Sequence, residues 1–534
     1  MKTKKYKYLL FSLVVLPFAM SSCYNDLNTT PIDPDEKTSD VVFSDETAYD
    51  NFIAKIYAGL SVTGNQGPAG QPDVVGIDEG SQASYLRMLW NMEELPTEEA
   101  VCCWNDQTIG NFHGLSWTSS DVFIRGFYYR LYYQITLASE FLRESTEAKL
   151  NSRGVSAEGK AKIKQYRAEA RFLRALSYYH VLDHFRQGPF VTEDSEIGSV
   201  PPPAATTQEL FNYIESELLA INDDLLDPVA GFSANYGRAN KAAAWTLLAK
   251  LYLNAKTYTG TEKYTECISE CAKVIGEGYE LEPKYADLFK ADNYNSKEII
   301  FPMIFEKDYI QTYGGMQFLM NSAVNADLKA MIAAPGSWAG NRATVNVLDR
   351  FDGVEQNDQR CSLLYTGYNK TDMTEVGEFK EGVQVLKFSN FDSKGVDTGG
   401  SYPNTDFPLF RLADVYLMYA EAVLRGGTGG SITNALNYVN LIRDRAYVVD
   451  AAGKVAQADL TLDFILDERG RELLWEAQRR SDLVRFDKLT TSSYLWDFKG
   501  GVLNGAAVDS KFNVFPIPAA DINANPNLVQ NTGY

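Results

Sequence analysis

Two stretches of the chain read as pairs of apolar-faced helices joined by glycine turns, and nothing else in the 534 residues restricts the fold as much. Residues 238–256 and 262–275 form one pair around Gly260. Residues 408–425 and 431–446 form another around Gly426-Gly427-Thr428-Gly429-Gly430. A helix with one apolar stripe cannot bury that stripe alone, so each pair needs a further layer to pack against. More helices are predicted at 160–186, 207–226 and 461–480. In the first, Ile163, Tyr166, Ala170, Leu173, Leu176 and Val181 fall near one face, and Gly188-Pro189 ends the run. Pro201 to Pro203 read as a rigid linker.

The paired helices have the look of tetratricopeptide units, which repeat at about 34 residues. Ala249, Ala272, Ala420 and Ala435 are expected to let paired helices approach closely. Residues 280–405 have another texture: Gly-rich, aromatic and without sustained periodicity. Loop material of that length is usually functional. The expected fold is mainly α, a tetratricopeptide-like helical-repeat scaffold with a large irregular, loop-rich insertion carrying the ligand site.

The ends and the charge narrow the function. Lys2, Lys4, Lys5 and Lys7 precede an apolar run from Leu9 to Met20, too short to span a hydrocarbon core of about 30 Å. It leads through Ala19-Met20-Ser21-Ser22 into Cys23, the pattern of a bacterial lipobox, so residues 1–22 are expected to be a signal peptide and Cys23 the lipidated first residue. Cutting there removes four lysines and no acid, taking the formal charge from −20 to −24. Residues 23–45, with Pro31 and Pro34, read as a tether. So acidic a surface disfavours nucleic acid and anionic membrane as partners, leaving the lipid as the only membrane attachment.

Little here suggests catalysis. His180 and His184 are four apart on a helix, but Val181 stands where a zinc protease needs its glutamate. Nucleophile elbows and phosphate loops are missing from the sequence, and the glycines at 426–430 follow a helix rather than a strand. Cys102 and Cys103 are adjacent, and Cys267 and Cys271 read as buried small apolar residues on a helix. No cofactor is expected; whether a structural metal binds stays open.

Five segments in order resemble the SusD/RagB family of outer-membrane nutrient-binding lipoproteins of Bacteroidetes. They are EARFLRALSYYHVLDHF (169–185), GRANKAAAWTLLAKLYLNAKTYTG (237–260), FPLFRLADVYLMYAEA (407–422), ILDERGRELLWEAQRRSDLVRFDKL (465–489) and FPIPAADINANPNLVQNTGY (515–534). One departure is Arg186-Gln187-Gly188-Pro189-Phe190, where the family has a Gly directly after the Phe. The resemblance implies a helical N-terminal region at 46–279, the irregular ligand-binding insertion at 280–405 and a helical C-terminal region at 406–534, with 46–534 one fused unit. It also implies no enzymatic activity, an outer-membrane, surface-exposed location, and a SusC-like TonB-dependent transporter as partner. Glu468, Glu472 and Glu476, with Arg471, Arg480 and Arg485, lie at three- and four-residue spacings on one expected helix and are expected to form ion pairs or tie down the C-terminal coil rather than to touch ligand.

Within the family the resemblance leans to the starch-binding member, through PIDPDEK at 31–37, DEG at 78–80 and YLWDFKGG at 494–501. It implies an aromatic arc of Trp104, Tyr313 (in TYGG) and Trp338 (in PGSW), flanked by Asp78 and Arg87, with Asn105 and Asp106 as candidate polar neighbours. These residue types suit α-glucan oligosaccharides. A pyranose has a face of C–H groups that an aromatic ring attracts and desolvates. Its rim hydroxyls pair with a carboxylate and a guanidinium. Another glycan or a peptide as ligand, and a glycoside hydrolase as activity, are the alternatives.

Overall fold

The computed structural model describes residues 38–65, 68, 72–74, 84–196, 198, 200–351, 357–447 and 453–534. Its principal helices are α1 (Thr47–Ser61), α2 (Tyr85–Glu94), α3 (Val122–Glu144), α4 (Ala157–Phe185), α5 (Thr207–Ala220), α6 (Lys241–Leu253) and α7 (Tyr264–Ile275). After these come α8 (Met316–Ala323), α9 (Leu412–Leu424), α10 (Ile432–Ala446), α11 (Leu462–Glu472) and α12 (Arg479–Arg485). The caps follow from the sequence: Asp121 accepts from the Phe123 and Ile124 amides, and Thr206 and Glu209 form a reciprocal capping box. Among the described residues no helix is long and apolar enough to cross a membrane.

The predicted pairs form and then stack on each other. Helix α6 packs on α7, α7 on α9, and α9 on α10, so the scaffold is continuous in space although the chain between α7 and α9 loops out of it. Ala249, Ala420 and Ala435 are fully buried at these contacts, as expected. Ala272 is not: it is exposed, and Cys267 and Cys271 are the small residues that α7 buries. The latter half of α4 is buried nearly all round, because α3 and α5 both pack against it.

Three expected boundaries are corrected. The helix expected at 408–425 starts at Leu412, since Phe407–Arg411 is a strand, paired antiparallel with Ile299–Met303. The helix expected over 461–480 breaks after Glu472, where Trp475 and Ala477 take φ of 62° and 56°. The break turns the Trp475 indole inward, to donate to the Glu99 carbonyl at 2.6 Å. The tether reading runs too far: Ser39–Val42 form a helical turn, Asp40 pairs with Arg153 at 2.7 Å, and Phe43 is buried against Tyr49.

Of the ion pairs expected along one helix, Arg471 with Glu468 forms at 2.8 Å; the other charges pair in the core with residues from elsewhere in the chain. Glu468 accepts from Arg360 at 2.8 Å and Arg443 at 2.6 Å, and Glu476 from Arg411 at 2.6 Å. Arg485 pairs with Glu421 at 2.7 Å. Burial pushes the Glu472 carboxyl up, but Arg445, Arg411 and Arg360 outweigh it and hold the group at about 2.

Asp406, beside the loop leading to Tyr313, has the opposite balance. Burial pushes its carboxyl up to about 7, against the Phe305 amide and the Tyr236 hydroxyl that donate to it at 2.8 Å each. A carboxyl whose folded value lies above its unfolded value of about 4 stabilises the fold below that pH. The contribution is lost as pH rises through about 7. Asp406→Asn is therefore expected to gain on the order of 1–3 kcal/mol relative to wild type between pH 5 and pH 8.5, read by thermal melts at both. A difference that does not change with pH would refute the assignment.

Candidate functional site

A pair of two-residue strands, Val101–Cys102 and Asn341–Arg342, sets out the site. They pair antiparallel, Val101 opposite Arg342 and Cys102 opposite Asn341, and the Cys103 amide donates to the Gly340 carbonyl at 2.9 Å. Trp104 leaves one strand where Trp338 approaches the other, so segments more than two hundred residues apart present their indoles to one cleft. Gly340 makes the fit possible. It has φ of 114°, and a Cβ there would lie 2.3 Å from the Trp104 Nε1.

Each wall has its own support. The Trp338 and Ala339 amides donate to the Asn321 carbonyl of α8 at 2.8 and 3.1 Å. Tyr313 stands edge-on to Trp338, ring centroids 6.3 Å apart, with Tyr402 behind it at 6.2 Å. The turn after Tyr313 is held by Ser84, whose hydroxyl donates to the Gly314 carbonyl at 2.8 Å. Arg87, one turn into α2, lies 5.6 Å from the Trp104 ring centroid and 4.4 Å from that of Phe318, a cation-π stack that fixes the guanidinium against the indole.

The resulting cleft has a volume of about 760 Å³ and is bordered by Arg87, Cys103, Trp104, Asn105, Asp106, Tyr313, Trp338 and Phe379. Six residues named from the sequence are thus brought together: Trp104, Tyr313, Trp338, Arg87, Asn105 and Asp106. Asp78 and Cys23 lie outside the described residues. Phe379 and Cys103 were missed. Phe379 had a signal, a lone ring in the polar run TEVGEFKEG. Burial pushes the Cys103 thiol up to about 11, so it borders the cleft as a neutral group at pH 7.

The histidines lie elsewhere. His180 Nδ1 is 2.5 Å from the Tyr85 hydroxyl, and His184 Nε2 is 2.8 Å from Glu93. Among the described residues, Glu93, Asp183 and His184 bring their donor atoms close enough to share a metal ion. The Ser481 amide donates to Glu93 at 3.0 Å and its hydroxyl to Asp183 at 2.6 Å, and the Arg480 guanidinium, 3.5 and 3.4 Å from the two carboxylates, supplies positive charge where a cation would.

Residues 246–534 match the sequence model of the SusD family. The chain belongs to the SusD family. Over its whole length it is 36% identical to the starch-binding protein SusD of Bacteroides thetaiotaomicron, all of which the alignment also covers. A SusD superfamily protein of Parabacteroides distasonis superposes with a TM-score of 0.69 at 23% identity, covering 93% of this chain and all of that one. A laminarin-binding SusD-like protein does so at 0.65 and 19%, covering 91% and 99%. These neighbours share the mainly helical, tetratricopeptide-like fold. SusD-family proteins bind glycans without converting them, so this chain is a binding protein and not an enzyme.

Proposed function

We propose that this SusD-family protein captures starch and maltooligosaccharides at the cell surface and hands them to a SusC-like TonB-dependent transporter. The observation that carries the reading is the convergence of Trp104, Tyr313 and Trp338 on one cleft, with Arg87 stacked beside them. Flat apolar faces bordered by a guanidinium and by the Asn105 amide and Asp106 carboxylate suit a neutral ring with an apolar face and a hydroxylated rim. The starch-binding relative, 36% identical along the full chain, supports α-glucan over other glycans. On this reading Cys23 carries the acyl chains that hold the protein at the outer membrane, since stable anchoring takes more than one chain. Residues 46–534 then act as one fused unit displayed outside it.

The test is native electrophoresis in amylopectin together with calorimetry against maltoheptaose. Retardation of the wild-type protein and a saturable heat, without release of reducing ends, are expected. Unhindered migration and no heat with maltoheptaose, beside clear heat with laminarin or a peptide, would transfer the cleft to another ligand. Release of reducing ends would revive the hydrolase.

A further inference from the structure

We propose that Phe379 forms a fourth ligand-contacting wall of the cleft and that Arg342 is the residue that positions it, an inference resting on the saccharide reading above. Phe379 is 44% exposed and borders the same cleft as the two tryptophans. It stands among the exposed residues Glu375, Gly377, Glu378 and Lys380. A phenyl ring displayed there gains little from the core, and its free face is turned to the space that Trp104 and Trp338 border.

The loop is fastened rather than loose. At its base the Thr374 amide and hydroxyl donate to the Glu381 carboxylate at 2.5 and 2.8 Å, and the Gly382 amide donates to the Lys370 carbonyl at 2.9 Å. Met373 is buried beneath it. At its middle the Arg342 guanidinium, itself 2% exposed, donates through Nη2 to the carbonyls of Val376 at 2.8 Å and Glu378 at 2.9 Å. Through Nη1 the same group donates to the Gly340 carbonyl at 3.3 Å and contacts the Cys103 sulfur. Three of those four partners are the residue before Trp104, the residue two after Trp338 and the residue before Phe379. A guanidinium is a planar fork with fixed donor directions, so one buried side chain sets the mutual position of three walls.

The position of Phe379 also says what it would do. A small recess next to the cleft is bordered by Phe379, Tyr368, Ala339, Gly340 and Arg342, and by none of Tyr313, Trp338 or Arg87. The recess puts Phe379 on the Gly340 side of the cleft, and on this proposal a ligand meets it only after passing the Tyr313–Trp338 pair. A short oligosaccharide held between those two rings stops before it; a longer one reaches it. Phe379 is then a determinant of chain-length preference, with Arg342 holding it in register.

The experiment is calorimetry with maltotriose and maltoheptaose on wild type, Phe379→Ala, Phe379→Trp, Arg342→Lys and Trp104→Ala. Phe379→Ala is expected to weaken maltoheptaose binding about five- to tenfold, the scale of one aromatic contact, and maltotriose binding less than about twofold. Phe379→Trp should restore the longer ligand. Arg342→Lys keeps a charge beside Cys103 but cannot span both loop carbonyls, and should reproduce the chain-length-selective loss while still binding maltotriose. If Phe379→Ala binds both ligands as wild type does while Trp104→Ala has lost them, the fourth wall is wrong and the saccharide reading stands. If Trp104→Ala also binds normally, the reading itself falls. Arg342→Lys with undiminished maltoheptaose binding, beside a weakened Phe379→Ala, would remove the positioning role alone.

Discussion

Trp104→Ala and Trp338→Ala are each expected to abolish most of the retardation in an amylopectin gel and to lower the affinity for maltoheptaose by about tenfold or more, the loss that one stacked, desolvated aromatic anchor accounts for. The two should not be equivalent. Trp104 is packed against Gly340, Phe318 and Arg87, so its loss also removes one of the two rings stacked on the guanidinium and opens space beside Gly340. Trp338 is 36% exposed and meets Tyr313 edge-on, so its loss removes a face of the arc but leaves the floor intact. Trp104→Ala should therefore cost some thermal stability as well as binding, and Trp338→Ala binding alone. Conservative Trp338→Tyr should keep a measurable part of the affinity, because a smaller flat face is still presented. Wild-type migration of both alanine variants would show that the arc is not the binding surface.

How much of this could be read beforehand depended on whether the deciding contacts were local. The helices at 157–185, 241–253, 264–275 and 432–446 were legible because they are long apolar-rich runs, three of them opened by Ser156, Asn240 and Ser431, with Gly260 marking the turn between the second and third. The strand at 407–411 was not, because the apolar run FPLF is too short to show a period and passes through Arg411 straight into the helical pattern of LADVYLMYAEA. The break after Glu472 had only Gly470, two residues upstream in the last turn, to hint at it; a tertiary bond from Trp475 to Glu99 holds it. The same distinction applies at the site. A single tryptophan in a sequence is more often core than ligand wall, so Trp104 and Trp338 were named through family resemblance. The pairing that joins them, Cys102 opposite Asn341, rests on strands of two residues each, too short to show any period. Arg342 had no signal at all. Its role exists only because three distant backbone segments converge on one guanidinium.

Arg411→Met is expected to destabilise the fold by about 3–5 kcal/mol at pH 7, the cost of removing one partner from a buried charge cluster. Arg411 stands where the strand 407–411 passes into α9, and its side chain is 1% exposed. It donates to Glu298 at 2.8 Å, to the Glu472 carboxylate at 2.6 Å and carbonyl at 2.8 Å, and to Glu476 at 2.6 and 2.8 Å. Methionine fills similar volume but leaves three buried carboxylates with one cation fewer. The pH dependence separates charge from packing. In the wild type, burial raises the Glu472 carboxyl while Arg445, Arg411 and Arg360 hold it at about 2, so its contribution is present above the unfolded value of about 4.5 and is lost as pH falls toward 2. In Arg411→Met the carboxylates lose that restraint, and protonation relieves them at higher pH. The stability gap between wild type and variant, measured by chemical denaturation, should then narrow steadily from pH 7 to pH 4. Arg411→Lys should fall between the two, since one ammonium replaces a fork that serves three acids. A gap that is constant across that range would mean that Arg411 acts by filling space, and that the charge cluster contributes nothing specific to this junction.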